Sequence, residues 1–255
     1  MLATRLAARL GLCVPQIETV DVRPDLIAHT SEMVMQFGSG RMPCSAGKQL
    51  GSQFPGYPAR TSVHDFLLDE QLSSVQNLED FLGIYVFDKW TCNTDRRQVV
   101  FFHAKEGQER NSSRISRQRQ YLAMMIDQGA CFNGGEWNFP DAPLRGIYEN
   151  TRVYENVAGI DAFEPWIELL EKGITEDVLK SEAQRIPSEW YADVQVDLQR
   201  LLDRLYDRRA RVRELIESAQ KSNRNTFPNW KVRFYPAVTA HAGGARCGPF
   251  RESSS

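Results

Sequence analysis

The amino-acid sequence predicts a mainly helical α+β protein. Apolar side chains recur at steps of three and four residues from Asn77 to Trp90, and again over much of the last third of the chain, which is the spacing of amphipathic helices. Two short apolar runs, Val99–Phe102 and Tyr121–Ile126, have the length of buried strands and predict a hairpin with a long connection. The 255 residues, 42% of them hydrophobic, are enough for one large domain or two small ones.

The first sixty residues contain weaker signals. Leu2 to Leu12 has apolar positions at helical spacing, and Gly11 is placed to end that helix. Gln16 to Val22 alternates like a strand, and Glu32 to Phe37 has the composition of another. From Gly38 to Pro58, glycine and proline are frequent, which predicts a long loop.

Helices are predicted to dominate after residue 60. Thr61 and Ser62 are candidate N-caps of a short helix. Three later segments are expected to be helical because they carry apolar residues at helical spacing or lie between turn signals: Phe163–Lys172, Thr175–Arg185 and Ala192–Ser222.

Charge and cysteine content exclude several classes of protein. With 31 Lys+Arg and 33 Asp+Glu, the net charge of −2 gives no strong signal for a nucleic-acid or membrane partner. The five cysteines are scattered without a C-x-x-C pair, so neither a disulfide framework nor a zinc site is expected. No apolar run approaches the ~20 residues of a membrane span, and we expect a cytoplasmic location. The arginine-rich stretch Arg110–Arg119 is interpreted as a solvated loop.

The most informative segment runs from Phe87 to Gln98. A buried-looking helix gives way to a polar turn that contains Asn93 and Asp95, and an apolar strand comes next. Loops held by rigid elements on both sides are where functional groups tend to be placed. We expect the guanidiniums of Arg96 and Arg97 to flank the Asp95 carboxylate, an arrangement that suits a group that orients a hydroxyl or accepts its proton.

A second carboxylate, Asp127, ends the later apolar run and is followed by Gly129, which lets the chain turn. By itself, each aspartate is more often a cap or a plain turn residue. The order of helix, Asp loop, strand, loop, strand and Asp-x-Gly is more specific, because protein kinases use one such Asp in catalysis and the other to hold Mg²⁺ on ATP.

Several segments also resemble one kinase family. Phe87–Gln98 resembles the catalytic loop of HipA-like kinases, in which an Asn-x-Asp-Arg core follows an apolar helix. Ile126–Gly129 is similar to the metal-binding Asp segment of that family. Three further stretches look familial and occur in the expected order: Arg5–Pro15, Gly51–Phe54 and Ile186–Tyr191.

The resemblance implies a two-lobed, protein-kinase-like fold that uses ATP and Mg²⁺. Such an enzyme transfers the γ-phosphoryl group to a protein Ser/Thr or to another hydroxyl acceptor. By position, the resemblance implies that Asp95 is the catalytic aspartate and that Asn93 and Arg96 support it in the loop. It also implies that Asp127 binds the metal, with Gln98 as the nearest polar side chain for a second metal position.

The resemblance also implies a division of the chain. Residues 1–60 are expected to be a remnant of the small lobe together with the segment between the lobes, and residues 61–230 to form the large, helical catalytic lobe. Residues 231–255 end in three serines and are expected to be a disordered tail.

The sequence departs from the family pattern in three respects. Arg97 stands where the family often has histidine, and Val100 stands where a metal-binding asparagine is usual. No glycine-rich loop, strand lysine or paired helix glutamate can be placed, so we expect a truncated small lobe. The alternative to a phosphotransferase is therefore a catalytically inactive kinase-like module that binds a partner or a nucleotide.

Overall fold

The computed structural model describes residues 1–103 and 120–231. It shows an α+β protein with about 46% helix and small antiparallel sheets, which confirms the predicted fold class at this coarse level. The arginine-rich stretch predicted to be a solvated loop and the tail predicted to be disordered after residue 231 lie outside the described residues.

Seven α-helices form the body of the described part of the chain. They are α1 (Leu2–Arg9), α2 (Pro24–His29), α3 (Asp80–Thr91), α4 (Glu164–Gly173), α5 (Glu176–Ala183), α6 (Gln195–Arg208) and α7 (Val212–Ser222). Helix α3 is central, and all of its residues except Leu82 are buried. No helix within these ranges has the length and apolar character needed to cross a membrane.

The single helix predicted over Ala192–Ser222 is broken. A 3₁₀ turn at Arg209–Arg211 separates α6 from α7. Both helices contact α3. The bend lets two apolar stripes cover the same central helix, whereas one straight helix of this length would run past it.

Seven strands form three antiparallel sheets in the described residues. They are β1 (Ile17–Val22), β2 (Val34–Phe37), β3 (Gly40–Pro43), β4 (Gly47–Ser52), β5 (Val63–His64), β6 (Gln98–His103) and β7 (Tyr121–Ile126). β1 pairs with β4, β2 pairs with β3, and β5, β6 and β7 form a three-stranded sheet in that order. The pairing of β6 with β7 confirms the predicted hairpin.

Two predictions for the early part of the chain are wrong. The long loop predicted over Gly38–Pro58 contains β3 and β4. The helix predicted to begin at Thr61 or Ser62 is absent, and the short strand β5 stands there instead. The strands predicted over Gln16–Val22 and Glu32–Phe37 are present as β1 and β2, whereas β3, β4 and β5 have no buried side chain that would mark an apolar face in the sequence.

The β6–β7 hairpin has one face toward the core and one face outward. Directly opposed residues share a face, so Val100 and Phe102 stand on the outer face with Met124 and Leu122. The free edge of β7 is covered, because the Asn77 side chain accepts from the backbone N–H of residue 123 at 2.9 Å and donates to its carbonyl at 2.8 Å. The hairpin is therefore a fixed platform beside α3.

Aromatic rings fill the core around the middle of α3. The Tyr85 ring lies 5.5 Å from that of Tyr154, 5.7 Å from that of Phe163 and 5.3 Å from that of Phe227, measured between centroids. The Tyr85 hydroxyl is buried, and no hydrogen-bond partner for it is found in the described ranges. Burial raises the pKa of Tyr85 well above its ordinary value, and the neighbouring Tyr154 and Asp88 raise it further.

We predict that Tyr85→Phe stabilises the protein. The substitution keeps the ring packing and removes an unpaired buried hydroxyl, a gain of about 1 kcal/mol in the free energy of unfolding at pH 7. A tyrosine in the unfolded chain ionises at about pH 10, whereas native Tyr85 stays protonated at that pH. The wild type must therefore lose stability as the pH rises past that value, and Tyr85→Phe must lose less.

Urea unfolding at pH 7 and pH 10.5 measures both effects, with the exposed Tyr57→Phe as the matched control. Equal pH dependence in wild type and Tyr85→Phe would contradict the prediction.

Candidate functional site

The loop that contains Asn93 and Asp95, predicted to be catalytic, meets the turn at Asp127, predicted to bind metal. The two lie at one end of the β6–β7 hairpin. Helix α3 ends at Cys92, which takes a left-handed conformation (φ 53°) and turns the chain out of the helix. The backbone N–H of Thr94 then donates to the carbonyl of Ala130 at 3.2 Å. The N–H of Phe132 donates to the carbonyl of Thr91 at 2.7 Å, so the two segments are joined by their backbones.

A buried ion pair lies beneath the loop. The side chains of Asp88 and Arg97 are both 0% exposed. Arg97 Nε donates to Asp88 Oδ2 at 2.9 Å, and Arg97 Nη2 donates to Asp88 Oδ1. Burial opposes the charged guanidinium, but the Asp88 carboxylate outweighs that effect and raises the pKa of Arg97 above its ordinary value. The arginine therefore remains a cation in the core.

Arg97 also fixes the turn at Asp127. Its Nη1 donates to the carbonyl of Ile126 at 2.7 Å and to the carbonyl of Asp127 at 3.1 Å. One guanidinium thus binds the Asp88 carboxylate of helix α3 through two nitrogens. Its third nitrogen holds the end of β7 through two backbone carbonyls.

Asn93 links the same ion pair to Asp95. Its Nδ2 donates to Asp88 Oδ1 at 3.1 Å, and its Oδ1 accepts from the backbone N–H of Asp95 at 3.2 Å. The Asp95 carboxylate accepts from the N–H of Arg96 at 2.7 Å through Oδ1, and its side chain is exposed. A buried amide therefore positions an accessible carboxylate.

The expectation that two guanidiniums flank Asp95 is wrong. Arg97 turns inward to Asp88, and Arg96 forms an exposed ion pair with Glu149 at 3.3 Å. The reason is that a fully buried carboxylate needs a cation far more than an exposed one does. Arg96 contacts Asp95 through its backbone only, as far as its described hydrogen bonds show.

Asp127 and Gln98 lie side by side at the surface. Gln98 Nε2 donates to Asp127 Oδ2 at 3.1 Å, and Asp127 Oδ1 accepts from the backbone N–H of Gly129 at 3.2 Å. Asp127 has a left-handed backbone (φ 53°), a conformation that aspartate and asparagine adopt more readily than most residues. The structure thus brings together the two side chains predicted to bind metal.

The donors present fit Mg²⁺ that arrives with phosphates and do not form a cage. Within the described ranges, no cluster of three or more His, Cys, Asp or Glu side chains could hold an ion. Mg²⁺ usually keeps several waters and is bound through one or two carboxylates plus substrate phosphates. Asp127 supplies such a carboxylate, and Asp95 stands on the neighbouring loop. Val100, at the position of the family's second metal ligand, is a buried apolar residue.

A cavity of about 650 Å³ opens on the outer face of the hairpin. The side chains of Phe102, Leu122 and Met124 form its apolar floor, and the segment Gln53–Tyr57 faces them. Asn77 and other polar residues stand at its margin. A volume of this size fits a small molecule, and the lining as a whole is more polar than apolar, with the apolar floor surrounded by polar groups.

Asp88 is the important residue that sequence reasoning missed. It lies in an apolar helix in the segment Phe87-Asp88-Lys89-Trp90, where two adjacent charges are unexpected. A buried charge requires a partner, so the pair of charges was the available signal. The signal did not name Arg97 as the partner, because that contact spans nine residues and a turn.

Comparison with known proteins gives no relative. No protein-family model matches the chain, and no match is found among curated proteins or among solved structures. The resemblance to HipA-like kinases therefore stays a prediction, and the functional proposal depends on the geometry of the site.

We predict that Arg97→Met destabilises the protein by about 3–5 kcal/mol, because it leaves the Asp88 carboxylate buried without a cation. The matched control is Arg96→Met, which removes an exposed ion pair and should change the free energy of unfolding by at most about 1 kcal/mol. The double variant Asp88→Asn/Arg97→Met should lose less free energy of unfolding than the sum of the losses in the single variants Asp88→Asn and Arg97→Met.

Urea unfolding of the wild type, the three single variants and the double variant measures the coupling. Equal losses for Arg97→Met and Arg96→Met would show that the buried ion pair does not hold the site together.

Proposed function

We propose that this chain is an ATP- and Mg²⁺-dependent phosphotransferase similar to HipA-like kinases, with a kinase-like large lobe. The acceptor would be a protein Ser/Thr or another hydroxyl. The observation that carries the proposal is the joining of two exposed carboxylates, Asp95 and Asp127, by one buried scaffold at the end of a hairpin that also floors a cavity.

Strand β7 connects the cavity floor to the turn at Asp127. From Leu122 to Ile126, the last residue of the strand, four steps of an antiparallel strand cover about 14 Å. An extended nucleoside triphosphate is of that order of length. A purine ring would lie on the apolar outer face near Phe102 and Met124, and the phosphates would extend along the strands toward Gln98 and Asp127.

The exposed groups then have distinct roles. Asp95 would orient the acceptor hydroxyl and accept its proton, with Asn93 holding the loop in place. Asp127 and Gln98 would hold Mg²⁺ on the phosphates. The metal supplies charge neutralisation for the transferred group, and Arg97 keeps the turn that carries Asp127 at a fixed position.

A second candidate is a catalytically inactive kinase-like module that binds a nucleotide or partner. Two observations favour it. No lysine or arginine in the described ranges lines the cavity, so phosphates would meet no side-chain cation there. In addition, Val100 cannot act as a metal ligand. Both candidates share the nucleotide site and differ in turnover.

We predict that the chain binds ATP weakly and only with Mg²⁺, and that Asp127→Asn abolishes this binding without loss of thermal stability. Asparagine keeps an acceptor for the Gly129 N–H and tolerates the left-handed backbone, but it removes the charge that Mg²⁺ needs. Calorimetric titration with and without Mg²⁺, together with melting curves, tests both parts. The exposed Asp193→Asn is the matched control.

Tight binding without metal would contradict the proposal. A lower melting temperature with intact binding would show that Asp127 is a structural cap. Asp95→Asn separates the two candidates. In an enzyme it keeps Mg²⁺-dependent binding and loses ATP turnover, whereas in an inactive module it matches the wild type in both.

A further inference from the structure

A second buried charge on α3 lies next to the ion pair. Lys89 is only 4% exposed, although lysine is almost never fully buried. Its ammonium donates to the carbonyl of Pro143 at 2.7 Å and to the carbonyl of Arg145 at 2.6 Å. Both acceptors belong to a segment more than fifty residues away in the chain. A long-range contact of this kind positions one segment against the other.

The surroundings of Lys89 make its charge costly. The ammonium lies 4.9 Å from the centroid of the Tyr85 ring, and the charged or titratable groups around it are Asp88, Cys92 and Arg208. The pKa of Lys89 is lowered to about 8, mainly by burial and in part by Arg208, against the opposing effects of Asp88 and Cys92. A methionine of similar length would avoid this cost, so the two carbonyl bonds are the contacts that distinguish lysine at this position.

The segment held by Lys89 is itself bonded to the catalytic loop. The N–H of Gly146 donates to the carbonyl of Asp95 at 3.1 Å, and Arg145 Nη1 donates to the carbonyl of Thr94 at 3.1 Å. Gly146 is in the left-handed region (φ +65°), and a Cβ there would lie 2.8 Å from the Cβ of Asp88. The residues Pro143–Gly146, here called the clasp, therefore lie tightly against the loop.

We infer that Lys89 is a positioning residue: it holds the clasp over the Asp95 loop and so fixes the backbone that carries the Asp95 carboxylate. The role of Asp95 in the reaction rests on the proposed function, but the holding of the clasp does not. Lys89 is not among the residues that line the hairpin cavity and makes no described bond to Asp127. Its effect must therefore reach the reaction through Asp95 and not through nucleotide binding.

Limited proteolysis with trypsin tests the inference at the Arg145–Gly146 bond. Cleavage there requires the clasp to open, and the rate follows the population of the open form. Lys89→Met should raise this rate about tenfold relative to cleavage after the exposed Arg60 in the same molecule, because two charge-assisted bonds are lost. Lys172→Met, which removes an exposed lysine, should leave the ratio unchanged.

Two further variants separate positioning from simple loss of stability. Lys89→Arg keeps a cation and several donors and should lower the ratio below that of Lys89→Met, although the crevice of about 10 Å³ beside Lys89 does not hold the larger group without adjustment. Gly146→Ala should open the clasp from the other side and raise the ratio as Lys89→Met does. In an active chain, Lys89→Met should lower kcat and leave the affinity for Mg²⁺–ATP within about twofold.

The outcomes distinguish this inference from the proposed function. An unchanged cleavage ratio in Lys89→Met and Gly146→Ala overturns the clasp, even if the chain binds Mg²⁺–ATP. A ratio in Lys89→Arg that equals that of Lys89→Met, with a normal melting temperature, also overturns it. Raised ratios with rescue support the clasp even if no nucleotide binding is found, and in that case the proposed function alone fails.

Discussion

The ion pair between Asp88 and Arg97 is the constraint on which the site depends. Removing two charges from water costs several kcal/mol for each ion, and the cost is offset only when every hydrogen-bonding group is used. Arg97 meets this demand by bonding to Asp88, to the end of β7 and to the turn at Asp127, while Asn93 bonds to the same carboxylate. Satisfying one buried pair thus fixes a helix, a loop and a turn relative to each other.

The buried pair explains why the exposed groups are arranged as they are. Asp95, Gln98 and Asp127 are all exposed, whereas the residues that position them are buried. If Arg97 had paired with Asp95, as the sequence suggested, it would have covered the carboxylate that the proposed function assigns to the acceptor hydroxyl and left Asp88 without a cation. The division into buried positioning groups and exposed reactive groups follows from the higher cost of an unpaired charge in the core.

The sequence predicted the elements that have a regular spacing of apolar residues and the order of the candidate site residues along the chain. It identified the hairpin and the approximate extent of α3, and the order of Asp95 and Asp127 along the chain predicted that they belong to one site. It identified β1 and β2, but it missed the strands β3, β4 and β5, which have no buried side chains, and it missed the roles of Asp88 and Lys89. Their partners are set by three-dimensional contacts that span nine to more than fifty residues, and a single sequence does not encode such pairs in a readable spacing.

The distribution of charge connects the cavity to the carboxylates. The described part of the cavity has no side-chain cation, and the exposed guanidinium of Arg96 beside Asp95 is already paired with Glu149. Under the proposed function, a triphosphate would therefore bring its own counter-charge. A divalent cation satisfies both sides at once, because it neutralises the phosphates and binds the Asp127 carboxylate. Under the proposed function, metal dependence is thus the electrostatic condition under which the triphosphate would bind at this end of the hairpin.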